Sequence, residues 1–413
     1  MSRITEAEFR SRVQRCAAEM RRAGLDALIA YGSLVHYGSV RYFTGYEPWL
    51  TPEEWAFAVI TPDAAIALLS NSPWDFWDFL KRDSTWVEDV TIGSDWVNAI
   101  ASRLPASARR VGVAGWSAFP AATYEGLRQR YPRATFTDAT SLVRELREIK
   151  SPAEIEILRQ VGELSDLGGF ALFEAAVPGQ TEREVVSRID TALMCGGAEQ
   201  MAYATILGSG PRTIASCFQP GSRRIAEGDI VQLDCGPMLD GYKADFSRVV
   251  IAGDERPPRA LRLVDTVAEM YEACAAKLRA GTPCSEVARA GLAVAEARGF
   301  SPRENLFRSA NYPDMVFMGH GIGLENPDPP GMLTLTNDRP LQEGMVINLE
   351  PILLDPDVGG ARIETSFVIT SGDPVALTTC VIRPWAQVHP NSDLPRAEQG
   401  GDARRSHAAR DPR

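Results

Sequence analysis

The chain has 413 residues, 45% of them hydrophobic and 23% charged, and carries a formal net charge of -11. That length exceeds what one ordinary core fills, so two domains with an enclosed site between them are expected. No apolar stretch approaches bilayer length, and an acidic chain without a basic stripe is a poor match for a phosphate backbone, so neither a membrane nor nucleic acid is an expected partner.

At the start, Thr5-Glu6-Ala7-Glu8 forms a capping-box pattern ahead of Phe9, Val13, Cys16 and Met20 at helical spacing, which predicts an amphipathic first helix. Glu6, Glu8 and Glu19, with no continuous apolar core, are unlike a targeting leader, and a cytoplasmic location follows as the expectation. The seven cysteines are scattered from Cys16 to Cys380 without a Cys-x-x-Cys pair, against a disulfide scaffold or a thiolate zinc site.

From Leu25 to Val113 short apolar runs, Ala27–Ala30 and Ala64–Leu69 among them, alternate with helix-like stretches, so residues 1–150 are predicted to form an α/β domain. Trp49, Trp55, Trp74 and Trp77 crowd a segment broken by Pro48, Pro52 and Pro73. Any one of these rings reads first as core filling, whereas the cluster as a whole favours a contact surface. Ser151-Pro152-Ala153-Glu154 then supplies a cap, a first-turn proline and a capping-box glutamate, followed by Ile155, Leu158 and Val161. A second domain is expected over 151–388, with helical segments near 181–197 and 260–298 between strand-like runs at 230–234, 247–252, 346–350 and 362–369, an α+β pattern. Residues 389–413 lack apolar periodicity and are expected to be a mobile tail.

The chemistry concentrates in this second half. A buried-type strand, Ile230 to Leu233, ends on Asp234, and Asp245 follows eleven residues later across a Gly241-Tyr242 turn, so the two carboxylates can face each other on one hairpin. Such a pair repels unless a cation is shared. His320 sits among Gly319, Gly321 and Gly323, a composition that lets backbone approach a metal or ligand. Glu350 ends the run Met345–Leu349, and Glu364 follows Arg362-Ile363 in another strand-like run. Four buried carboxylates balance two divalent cations, and one nitrogen among oxygen donors suits manganese, iron, cobalt or zinc better than copper, without choosing between those four.

This set resembles the pita-bread metallopeptidase family that includes methionine aminopeptidase, aminopeptidase P, prolidase and creatinase, in its two-domain form. The likeness takes in Tyr42-Phe43-Thr44-Gly45-Tyr46, the junction Ile149-Lys150-Ser151-Pro152 and the carboxylate and histidine series. It implies a creatinase-like N-terminal domain and a pita-bread catalytic domain. It also implies that Asp234 binds one metal, Asp245 and Glu364 bridge two, and His320 with Glu350 completes the ligands of the second metal. The metals would activate a hydroxide against a C–N bond, with Glu350 as proton shuttle. A homodimer is implied as well, the partner's N-terminal aromatics, with His36, capping the active site.

The chain departs from the proline-specific members, which surround the metals with further histidines. Cys217 stands seventeen residues before Asp234, Val316 four before His320 and Pro327 seven after it, where histidines are usual. A changed, small or short peptide-like substrate is the favoured explanation, with Xaa-Pro cleavage, a metal-dependent lyase and a non-enzymatic relative as alternatives. Cys217 reads first as a pocket-lining residue rather than a nucleophile. Tyr203, Arg212, Tyr242, Asn311, Glu325 and Arg362, with Trp49 and His36, are the candidates for substrate or supporting contacts.

Overall fold

Thr5 caps the first helix, Glu6–Ala23, by accepting from the Glu8 amide. The other half of the expected capping box is diverted: Glu8 instead pairs with Arg12 and accepts from the Ser151 hydroxyl, tying this helix to the second half of the chain. The computed structural model describes residues 3–49, 51–71, 85–215, 217–306 and 316–386. Trp74, Trp77, Asn311 and the expected tail 389–413 lie outside them.

The N-terminal half is the expected α/β unit. Strands β1 (Ala27–Ser33), β2 (Trp55–Ile60), β3 (Ile66–Ser70), β4 (Asp89–Ile92), β5 (Arg110–Ala114) and β6 (Thr135–Asp138) form one mixed sheet in the order β4-β3-β2-β1-β5-β6. The outer pairs β3–β4 and β5–β6, and β1–β5, are parallel, whereas β1–β2 and β2–β3 are antiparallel. Alternate residues of β1 serve two cores: Ala27, Ile29 and Tyr31 pack with Phe57, Trp96 and Phe119 on one face, and Leu28 and Ala30 face the other. The apolar run from Ala64 starts its strand only at Ile66, because Ala64 turns through φ +66.

The second half opens with the helix Pro152–Ala175, whose capping box forms as the sequence predicts, with Ser151 accepting from the Glu154 amide and Glu154 from that of Ser151. Antiparallel strands follow: β7 (Gln200–Met201), β8 (Ile206–Ser209), β9 (Ile230–Cys235), β10 (Pro237–Leu239), β11 (Tyr242–Lys243), β12 (Phe246–Ile251), β13 (Phe317–Gly321), β14 (Asp328–Thr334), β15 (Val346–Leu349), β16 (Ile352–Asp355), β17 (Gly359–Arg362), β18 (Thr365–Val368) and β19 (Val375–Ala376). They form a three-stranded sheet β12-β9-β8, a five-stranded sheet β14-β13-β15-β18-β19 and two small ladders, and a bridge between Ser247 and Glu364 links the two larger sheets. The helical stretch near 260–298 is two helices, Pro258–Ala275 and Cys284–Ala297, since Gly281 at φ +90 and Pro283 break the periodicity.

The halves share one apolar cluster, in which Val13, Tyr42 and Phe43 meet Ile157, Leu158, Tyr242, Ile322 and Leu324. Ionic contacts lock it. Arg147, essentially inaccessible, pairs with buried Asp328 and, at 3.1 Å, with Glu325, while Lys150 approaches Asp328 at 3.7 Å. Removing one partner of a buried ion pair typically costs more than the pair contributes, because a charge is left unpaired. Asp328→Ala is therefore expected to lose about 3–5 kcal/mol of stability in equilibrium urea unfolding; an unchanged midpoint would contradict this account of the junction.

Candidate metal centre

The strand β9 delivers Asp234, and the backbone after it folds back through the β10–β11 ladder so that Asp245 arrives just before β12, where Phe246 pairs with Cys235. The two aspartates face each other as the hairpin argument requires. The bridge to Ser247 brings in Glu364, and Asp234, Asp245 and Glu364 each offer an oxygen within 4.8 Å of the others, all three buried. β13 supplies His320, whose Nε2 lies 3.1 Å from Asp245 Oδ2 and 3.5 Å from Glu350 Oε2. The four acids and the imidazole singled out in the sequence thus converge.

Gly319 is required by strand packing rather than by approach to a ligand, which corrects the sequence expectation. At φ +141 a Cβ there would fall 2.0 Å from the Asn348 carbonyl oxygen of the paired strand β15. Gly236 has the role expected of a close approach, since a Cβ would meet the Tyr203 ring at 2.7 Å. That ring places its hydroxyl 2.6 Å from Asp234 Oδ1 and 2.5 Å from Asp245 Oδ1. One phenolic proton can serve only one of these oxygens at a time.

Arg362 ends β17 inside the cluster, paired with Asp234, with Glu350 at 3.0 Å and with Glu364 at 3.2 Å. Four carboxylates less one guanidinium leave three negative charges uncompensated when His320 is neutral. Neither Glu364 oxygen has a hydrogen-bond donor among the described residues, although the side chain is fully buried. Burial and the neighbouring acids push the Glu364 carboxyl well above its usual range. Burial likewise raises Asp234, to about 7, against the opposing pull of Arg362. Burial would raise Asp245 too, but its hydrogen bond to His320 and that group's charge carry it below the usual range. Conversely, His320 is lifted to about 9, burial being outweighed by Asp245 and Glu350. Acids forced towards protonation, one of them accepting no hydrogen bond among the described residues, are the electrostatic pattern of a site made for cations, and the oxygen-rich donor set with one imidazole fits divalent ions.

The remaining sequence candidates divide. Tyr203, Glu325 and His36 line a cavity of about 550 Å³ with Lys243, Asn326 and Pro327. His36 is brought there by its own chain. Asn326 donates to Asp245 Oδ2 at 2.8 Å, which joins the cavity wall to the cluster. Cys217 is exposed. Arg212 is turned away, holding Glu182 at 3.0 Å and the Gln219 carbonyl at 2.8 Å. Tyr242 donates to Glu154 at the junction of the halves, and Trp49 is half exposed. Val316 packs into an apolar core with Met318. Sequence reasoning missed Asn326 and Lys243. Asn326 adjoins the conspicuous Pro327, and Lys243 precedes Asp245 by two residues, a spacing that puts two side chains on one side of extended backbone.

Comparison with known proteins agrees with this geometry. Residues 156–371 match the model of metallopeptidase family M24, and residues 12–149 match the creatinase/prolidase N-terminal domain. An Xaa-Pro dipeptidase of Pyrococcus horikoshii is 30% identical over 264 residues, 63% of this chain and 71% of the relative. An Xaa-Pro dipeptidase of Lactobacillus helveticus is 28% identical over 352 residues, 80% of this chain and 88% of the relative. The crystal structure of the Pyrococcus horikoshii prolidase superposes with a TM-score of 0.77 at 23% identity, covering 90% of this chain and 99% of that one. The dipeptidase PepE of Mycobacterium ulcerans gives 0.74 at 25% identity, covering 92% and 97%. With more than half the chain matched to one family model and the fold and acid cluster in agreement, the chain belongs to metallopeptidase family M24 and is a metal-dependent hydrolase of peptide-type C–N bonds.

Proposed function

We propose that the protein is a hydrolase of short peptide-like substrates that works with two divalent ions, manganese foremost, held by Asp234, Asp245, His320, Glu350 and Glu364. The observation that carries this reading is the buried triad Asp234, Asp245 and Glu364, with oxygens within 4.8 Å and no donor for Glu364 among the described residues. A divalent pair there supplies Lewis acidity that makes water nucleophilic near neutral pH and polarises the scissile carbonyl. The chain's own groups do the rest. Glu350, 3.5 Å from His320 and 3.0 Å from Arg362, accepts and returns the proton of the attacking water at its carboxylate. Tyr203 and Asn326 orient Asp234 and Asp245, and Arg362 offsets part of the acid charge.

In this reading residues 1–150 are the creatinase-like unit, 151–388 the catalytic unit and 389–413 a tail. The protein works in the cytoplasm as a homodimer. No described helix is long and apolar enough to cross a membrane, and Val35, which lines the cavity at 65% exposure, and Trp49, at 52%, offer exposed apolar surface for a partner copy to cover. The second reading, Xaa-Pro dipeptide cleavage, is favoured by the names of the relatives. Against it, Cys217, Val316 and Pro327 carry no imidazole to hold or polarise such a peptide.

Protein purified without chelator is expected to hold about two transition-metal equivalents by elemental analysis, and Asp245→Ala to lose both the metal and turnover. Unchanged metal content in that variant refutes the ligand assignment. Xaa-Pro peptides are expected to be poor substrates, slower by on the order of a hundredfold than the preferred one. Manganese-dependent cleavage of an Xaa-Pro peptide at about ten thousand per molar per second or better would favour the second reading instead. Sedimentation at micromolar concentration should give a dimer, and a fully active monomer would remove the partner from the site.

A further inference from the structure

The cavity beside the acid cluster contains a cation that none of the chemistry above uses. Lys243 is 8% exposed and lines the cavity, and its ammonium makes no hydrogen bond or ion pair among the described residues. It rests over the Tyr37 ring, 4.8 Å from the centroid, and Tyr37 is itself fixed by donating to the Gly241 carbonyl at 2.9 Å. The charged groups acting on it are Glu325, Arg147, Asp328 and Glu47, and each of the three acids already has an arginine. Glu325 is held by Arg147 at 3.1 Å, Asp328 by the same guanidinium, and Glu47 by Arg41 at 3.0 Å. A largely desolvated ammonium without its own counter-ion is costly, and an anion entering the cavity would remove that cost.

Backbone geometry ties this ammonium to the acid cluster. Lys243 pairs with Met238, the Ala244 amide donates to the Pro237 carbonyl at 3.0 Å, and Phe246 pairs with Cys235, so the chain from 242 to 246 is held extended. Lys243 and Asp245 therefore project to the same side, with Cα atoms roughly 6.6 Å apart. In a dipeptide or an N-acyl amino acid the terminal carboxylate lies one residue, about 3.5 Å of chain, beyond the scissile carbonyl. With that carbonyl at the acid cluster, the carboxylate falls within reach of a lysine side chain anchored two residues away. Arg144 adds a second cation on the cavity wall. Each further residue would carry the carboxylate past Lys243 into a cavity of only about 550 Å³.

We infer that Lys243 is a specificity residue, receiving the free carboxylate of a dipeptide or N-acyl amino acid whose C–N bond lies at the acid cluster. The inference rests on the hydrolase reading for the position of the bond, but not for the binding of the carboxylate. The test compares Ala-Leu and Ala-Pro with their C-terminal amides, by calorimetric binding and by kcat/KM, in the wild-type holoenzyme, Lys243→Met and Lys243→Arg. The wild type should prefer the free acids by about tenfold or more, mainly through KM, the scale of a charge-assisted contact. Lys243→Met should abolish that preference by weakening the acids while leaving the amides within about threefold, and Lys243→Arg should restore part of it. Equal losses for acids and amides in Lys243→Met, a preserved preference in that variant, or no wild-type binding of any free acid would overturn the inference. Tight binding of the free acids without hydrolysis would sink the hydrolase reading and leave the carboxylate site standing.

Discussion

The structure is organised around an electrostatic problem, four carboxylates buried beside a single guanidinium. Proteins do not bury excess charge of one sign without compensation, because the desolvation penalty is several kcal/mol per ion, on the order of the whole stability of a domain. Here Arg362 offsets one charge and His320 a further part, and the rest falls to divalent ions of the kind this family uses. Several elements of the second half deliver its groups to that point: β9 for Asp234, the folded-back ladder for Asp245, β13 for the imidazole, and the β12 bridge for Glu364.

Around this centre the chain separates structural from chemical charge. Arg147, Lys150 and Asp328 are as buried as the acid cluster, but with Glu325 their two positive and two negative charges balance and pin the N-terminal half in place. That docking has a consequence for the site, since Tyr37, Arg144 and His36 of the N-terminal half form one wall of the cavity whose other wall is Tyr203, Lys243 and Asn326. The junction is thus both a stability element and the boundary of the space a substrate would occupy. Glu325 shows the connection directly, with its carboxylate held by Arg147 on one side and exposed to the cavity on the other.

The loss of the usual histidines has a local physical meaning. Val316 sits among apolar side chains, and Cys217 is exposed. Pro327 lines the cavity, and it is the preceding Asn326 that reaches an acid of the cluster. An amide can orient Asp245 by donating to it but cannot shuttle a proton, which is why the proposed function gives that role to Glu350.

The order of residue types along the chain was enough to determine the fold class, the capping box at Ser151, and the four acids and one imidazole that the fold brings together. Those features depend on local periodicity, on capping chemistry and on the rarity of buried carboxylates. The sequence also flagged Tyr203, Glu325, His36 and Arg362, which the fold gathers. Other outcomes lay beyond it. Arg212 turns to Glu182 and Tyr242 to Glu154, because partners thirty and eighty-eight residues away compete for them. Glu8 leaves its local cap for Arg12 and Ser151, and Gly319 answers to the carbonyl of a strand that pairs with it only in three dimensions. Above all, only the docking of the two halves decided that Lys243 would face a cavity beside the acids with no carboxylate pairing it among the described residues. Which charges find partners depends on the distances that close when the chain folds, and these do not follow from the spacing of residues along it.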